Sequence, residues 1–262
     1  MKVSLIQMDV KIGEPDYNFE QAQKLVEQAA KEKPDLIILP EMWNSGYALE
    51  KAQEVADKDG RRTRELFSAL AKKHTAAIVA GSVLYEDTTS GNITNTMLVF
   101  DKQGQEIMRY DKLHLFRLMD EHLYLHAGDS FGVFELEGVV IGAMICYDLR
   151  FPQLSRQLVQ RGASLLINVA QWPTPRVDHW KTLLAARAIE NQSYMIAVNR
   201  CGKSRDTQFP GSSMVFGPWG EALLAGDDRE QIYHIDIDID KVAETRGKIP
   251  VFDDQRFDMY SK

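Results

Sequence analysis

The chain has 262 residues, 44% hydrophobic and 26% charged, and its 31 Lys and Arg against 38 Asp and Glu leave a net charge of -7. That is the composition of a soluble globular protein near the upper size of one compact domain. An acidic surface suits neither phosphate backbones nor anionic lipid, so nucleic acid is not an expected partner. No run approaches the roughly 18 to 20 apolar residues needed to cross a bilayer, and Met1 to Val10 has no signal-peptide pattern, so no membrane association is expected. Cys146 and Cys201 are the only cysteines, too few for a disulfide framework and without zinc-type spacing, which makes a reducing cytoplasm the expected setting.

Helical and strand-like patterns alternate from end to end without a repeat or a linker, which predicts one domain over residues 1–262. Lys2 to Met8 reads as a strand. Phe19, Ala22, Val26 and Ala29 or Ala30 recur at helical spacing between Asn18 and Lys31, and the apolar run Asp35 to Pro40 reads as a strand buried on both faces. The alternation continues with a helix from about Arg61 to Lys73 and strands near Ala77 to Gly81 and Thr96 to Phe100. Val139 to Ile145 is a predicted strand. Pro152 to Gln160 is a predicted helix, with Pro at its start and Gly162 just past its end. A strand over Ser164 to Val169, a helix over His179 to Glu190, and strands over Tyr194 to Asn199, Ser212 to Phe216 and Ile232 to Ile237 follow. The alternation from Ile235 to Asp240 reads as a half-exposed strand. Together these elements predict an α/β fold with strands sandwiched between helices.

Three segments deliver a reactive side chain at or just past a predicted strand end: Leu36 to Pro40 ends at Glu41, the more mixed Ile107 to Asp111 leads to Lys112, and Val139 to Ile145 delivers Cys146. Ligands gather beyond the carboxyl ends of strands in α/β sheets, so the three can converge on one rim. The chemistry of such a trio is coherent. A carboxylate can take the proton of a thiol, and an ammonium with the backbone N–H of Tyr147 can hold the oxyanion formed when the thiolate attacks an amide carbon. The carboxyl group can then pass the proton to the leaving nitrogen.

The segments Leu39-Pro40-Glu41, Tyr110-Asp111-Lys112-Leu113-His114-Leu115 and Ile145-Cys146-Tyr147-Asp148-Leu149-Arg150-Phe151-Pro152 resemble the three signatures of the nitrilase, or carbon-nitrogen hydrolase, superfamily. The resemblance spans nearly the whole chain. It implies a Glu-Lys-Cys triad on a four-layer αββα sandwich, assembled as a homodimer with helices packed across the interface, and no cofactor or metal. It also implies that Glu121, ahead of Gly128-Asp129 and next to Asp120, orients Lys112 and positions the substrate amide. The sequence is most similar to the ω-amidase branch, which implies as substrate a small ω-amide of a 2-oxo acid resembling 2-oxoglutaramate. Hydrolysis of an N-carbamoyl amino acid, or a non-catalytic module keeping the fold, are the alternatives. Because the implied substrate carries a distal carboxylate, the loop after the strand ending near Val169 offers Trp172 as a wall, Thr174 as a hydroxyl and Arg176 as a carboxylate fork.

Other residues have plainer readings. Cys201 is expected to be a buried structural thiol. Glu41 and Lys112 could form a structural ion pair, although a buried pair adds little net stability. Arg150 is expected to pair with Asp148 or another acid and brace its loop. His122 and His126, at i, i+4 spacing, would suit a metal only on a helix. His114 and His179 could in principle serve a papain-like Cys/His pair, but the local signature around a papain-type Cys is missing.

Overall fold

The computed structural model describes residues 1–260, and the predicted single domain extends two residues beyond them, to 261–262. The strands are, in chain order, β1 (Lys2–Gln7), β2 (Leu36–Ile38), β3 (Asp57–Lys58), β4 (Ala77–Glu86), β5 (Ile93–Phe100), β6 (Glu106–Asp111), β7 (Gly132–Leu136), β8 (Val139–Ile145), β9 (Leu165–Ala170), β10 (Tyr194–Asn199), β11 (Cys201–Ser204), β12 (Thr207–Pro210), β13 (Met214–Phe216), β14 (Ala222–Ala225) and β15 (Gln231–Asp236). They form two mixed sheets. The first has the order β15-β1-β2-β4-β5-β6 with β3 beside the end of β4, the second the order β14-β13-β10-β9-β8-β7, and β11 and β12 make a separate hairpin.

The period-2 alternation of side chains builds the layers. Val3, Leu5, Leu36 and Ile38 face the second sheet, in one apolar core with Ile141, Ala143, Leu165 and Ile167. Their neighbours Ile6, Ile37 and Leu39 face the other way, into a core with Phe19, Leu25 and Val26 of helix Pro15–Ala29 and Phe67 and Leu70 of helix Arg61–His74. Helices Pro152–Gln160 and Val177–Asn191 cover the second sheet, through contacts of Leu154, Leu158, Trp180 and Leu184. The result is helix on sheet on sheet on helix, the four-layer αββα sandwich. β2 is buried along its length because it is a central parallel strand with a layer on each face, which explains its continuous apolar run.

One expectation needs correction. The strand predicted to run with the Ile-Asp alternation to Asp240 ends at Asp236, and a helix begins at Asp240. Ile237 stays buried because its N–H still bonds the carbonyl of Met1, but Ile239 has left the ladder. The segment with His122 and His126 is a single helical turn, Glu121–Tyr124, so the two histidines share no helix face. Strands β3, β7, β14 and the β11–β12 hairpin were not anticipated; each is short and on a sheet edge or outside the main sheets, where apolar periodicity is weakest.

Candidate active site

Glu41, Lys112 and Cys146 follow β2, β6 and β8, and these strand ends lie at the same rim of the sandwich. After β2, Pro40 ends the strand and the chain turns through Met42, whose φ is 41°. The turn is fixed to β4: Ser82 Oγ accepts the Met42 N–H at 3.0 Å, and Trp43 Nε1 donates to the Ala80 carbonyl at 2.6 Å. Gly81 lies in the bulge of β4 with φ +58°, and a Cβ there would fall on the Pro40 carbonyl oxygen, so only glycine lets the Glu41 turn dock. Lys112 continues the ladder past β6, with its N–H donated to the Asn95 carbonyl and its own carbonyl accepting the Gly128 N–H, both at 2.9 Å. Cys146 opens a turn of 3-10 helix, Cys146–Arg150, directly after β8, and carries φ +47°. A left-handed cysteine is strained backbone of the kind found at functional sites.

The reactive ends converge. Lys112 Nζ donates to Oε1 of Glu41 at 2.9 Å and to Oε1 of Glu121 at 2.7 Å, and all three side chains are fully buried. An ammonium has three donors, so one N–H of Lys112 remains for a ligand. Glu41 also accepts from Asn95 Nδ2 at 2.8 Å and from the Gln171 backbone N–H at 2.7 Å. Glu121 Oε2 accepts the Phe116 N–H at 2.7 Å, and the Tyr47 hydroxyl, 2.7 Å from Glu121 and 3.2 Å from Glu41, closes the ring of contacts.

Electrostatics fix the resting protonation. Burial pushes the Cys146 thiol well above its ordinary range, the charge of Glu41 pushes it further, and Lys112 opposes them without prevailing. Burial works against the Lys112 ammonium, but the charges of Glu121 and Glu41 outweigh it and hold the group above the usual lysine range. The site therefore rests with a neutral thiol beside a charged ammonium. Tyr47 is held protonated by burial, then by Glu121 and Glu41, and stays a donor.

Cys146 opens onto a narrow cavity lined by Tyr47, Phe116, Tyr147, Arg150, Trp172 and Arg176 among others. A broader groove, reached past Tyr47 and Gln171, leads out between Glu50, Leu118 and the β11–β12 hairpin.

Of the residues named from sequence, Glu41, Lys112, Glu121 and Cys146 are brought together, and Tyr147, Trp172 and Arg176 line the cavity. Glu121 rather than Asp120 turns inward: Asp120 is exposed. Thr174 turns away from the cavity, with its hydroxyl donated to the Gln208 carbonyl at 3.0 Å. Arg150 does not pair with Asp148. Its Nη2 donates to His179 Nδ1 at 3.2 Å, its guanidinium lies 4.8 Å over the Trp172 ring, and Asp148 instead accepts from Tyr110, His114 and Ile145. Tyr47, Asn95 and Gln171 were missed. None has a motif around it: Asn95 and Gln171 show only as uncharged polar side chains beside apolar runs, and Tyr47 shows no signal.

The carbon-nitrogen hydrolase family model matches residues 2–247. The chain is 46% identical over 258 residues to the 2-oxoglutaramate amidase of Bacillus subtilis, covering 98% of each chain. It is 33% identical to the mouse (Mus musculus) omega-amidase NIT2, over 99% of this chain and 96% of that one. A crystal structure of a CN-hydrolase superfamily protein from Xanthomonas campestris, with an arsenic adduct in its active site, superimposes with a TM-score of 0.91 at 33% identity, covering 98% of this chain and 97% of that chain.

Proposed function

Because the chain belongs to the carbon-nitrogen hydrolase family, and so acts on amide C–N bonds, we propose that it hydrolyses the terminal amide of a small 2-oxo dicarboxylic acid, a 2-oxoglutaramate-like compound, through a thioester on Cys146. What carries this reading is the buried contact of Lys112 with both Glu41 and Glu121 beside the strained Cys146. Glu41 takes the thiol proton as sulfur attacks the amide carbon, which avoids a free thiolate in a buried site. The remaining N–H of Lys112, with the Tyr147 backbone N–H, holds the oxyanion. Glu41 returns the proton to the leaving nitrogen, ammonia departs as the C–N bond breaks, and water then cleaves the thioester with Glu41 as base. Glu121 holds Lys112 and orients the amide, and Tyr47 holds Glu121 and Glu41 in place.

Arg150 and Arg176 supply the distal anchor. Both line the cavity, and among the described residues neither has a carboxylate partner. Burial and then the neighbouring Arg176 pull Arg150 below its ordinary range, as expected of two cations kept close without an anion. A carboxylate between them would be held by charge-assisted bonds. Trp172 forms the wall under Arg150.

The same proposal takes residues 1–262 as one domain, places it in a reducing cytoplasm, which the two buried free thiols suit, and makes the enzyme a homodimer, supported by exposed Ile189 on helix Val177–Asn191 and exposed Trp219. Sedimentation at micromolar concentration tests the dimer. Ammonia release from 2-oxoglutaramate, from amides lacking a distal carboxylate and from N-carbamoyl-β-alanine tests the substrate. The first is expected to turn over fastest; turnover of the carbamoyl compound alone contradicts the assignment.

A further inference from the structure

Asp148 is fully buried two residues after the nucleophile, and its two oxygens divide between two segments. Oδ2 accepts the N–H of Ile145, the residue just before Cys146, at 3.0 Å, and the hydroxyl of Tyr110 at 2.7 Å. Oδ1 accepts both the backbone N–H and Nδ1 of His114, at 3.0 and 2.7 Å. Tyr110 and His114 lie two residues before and two after Lys112. One carboxylate thus grips the chain on both sides of the lysine and directly before the cysteine. His114 is in turn stacked on Phe151, with ring centroids 3.6 Å apart, which ties the lysine segment to the far end of the Cys146–Arg150 turn.

We propose that Asp148 is a positioning residue that sets the separation between the Cys146 thiol and the Lys112 ammonium; this rests on the nucleophile and oxyanion roles given above. β6 and β8 belong to different sheets, so no ladder of backbone hydrogen bonds fixes their relative height. Side-chain bonds across the interface must do it, and a fully satisfied carboxylate with four donors on its two oxygens is the strongest available brace. Oxyanion binding depends on donor placement to about half an ångström, so slack here is felt in the chemical step. The strained φ of Cys146 is held by the same group, since the Ile145 N–H that it accepts opens the turn.

The test is Asp148→Asn. An amide must present an NH2 group to one of the two donor pairs, so one backbone N–H loses its acceptor whichever way it turns. Two quantities are read: steady-state kinetics on the preferred amide, and the pH dependence of Cys146 alkylation by iodoacetamide, followed by mass spectrometry of the labelled peptide. A loosened Lys112 stabilises the thiolate less, so the alkylation profile is expected to move up by about half a pH unit, while kcat falls roughly 30- to 100-fold and KM changes less than about threefold. Removing a nearby negative charge without loosening anything would move the profile down. A shift downward, no shift, or a kcat within threefold of wild type overturns the proposal. Tyr110→Phe, which keeps the Asp148 charge, is expected to give the same upward shift with a smaller kcat loss; if Asp148→Asn does not fold, this variant decides alone. Full activity in Lys112→Met would instead overturn the underlying roles, a result separate from the Asp148 readouts.

Discussion

Glu41 and Lys112 are 71 positions apart in the chain, yet their reactive atoms lie 2.9 Å apart in a fully buried contact. With Glu121 at 2.7 Å from the same ammonium, the cluster holds two carboxylates and one cation, an arrangement that burial alone would disfavour. The donors around it, from Asn95, Tyr47 and the backbone of Phe116 and Gln171, replace the water these charges have lost.

Removing the cation should therefore harm stability as well as activity. Lys112→Met leaves two buried carboxylates facing each other, and a loss of about 3 to 5 kcal/mol is expected in urea unfolding, with ammonia release abolished. A variant as stable as wild type would show that the pair is not charged as described.

Both thiols make the fold sensitive to alkali. Burial and then Glu41 raise Cys146, and burial, then Asp9 and Glu230, push Cys201 up to about 12. A group that binds its proton more tightly in the folded state keeps its full contribution below its unfolded pKa, about 8.5 for a thiol, and loses it as pH rises toward the folded value. Each thiol should cost about 1.4 kcal/mol per pH unit above about pH 8.5. Unfolding measured between pH 8 and 10 should show this slope reduced by about half in Cys201→Ala; an unchanged slope would contradict it.

Substrate anchoring is expected to divide between the two arginines of the cavity. Arg176→Ala and Arg150→Ala should each raise KM for the 2-oxo acid amide about tenfold or more, the loss of one charge-assisted bidentate contact, and leave amides without a carboxylate unaffected. Steady-state kinetics on matched amides reads this. Equal losses on both substrate types would assign the arginines to the fold.

Gly128 is a steric requirement. A Cβ there would overlap the carbonyl oxygen of Asp111, next to Lys112. Gly128→Ala is expected to lower kcat at least tenfold through displaced Lys112, with a destabilisation of about 1 to 3 kcal/mol, checked by kinetics and thermal unfolding together.

Much of this was legible before the structure. Apolar periodicity gave the central strands and the four long helices that cover them, because buried layers impose a regular pattern, and three short motifs located Glu41, Lys112 and Cys146. Edge elements such as β7 and the β11–β12 hairpin were not legible, since half-exposed short strands carry little pattern. The supporting residues were harder still. Asn95 and Tyr47 serve the site through contacts with residues 54 and 74 positions away, which no local spacing encodes. Arg150 was misread for a related reason: Asp148 is near in sequence, but its oxygens were already committed to Tyr110, His114 and Ile145.

The most direct test of the mechanism is intact-mass spectrometry of the enzyme quenched in acid during turnover of a 2-oxoglutaramate-type amide. A covalent acyl adduct that maps to Cys146, and is absent from Cys146→Ala, is the predicted result. Full turnover by Cys146→Ala, or an adduct on another residue, would contradict it.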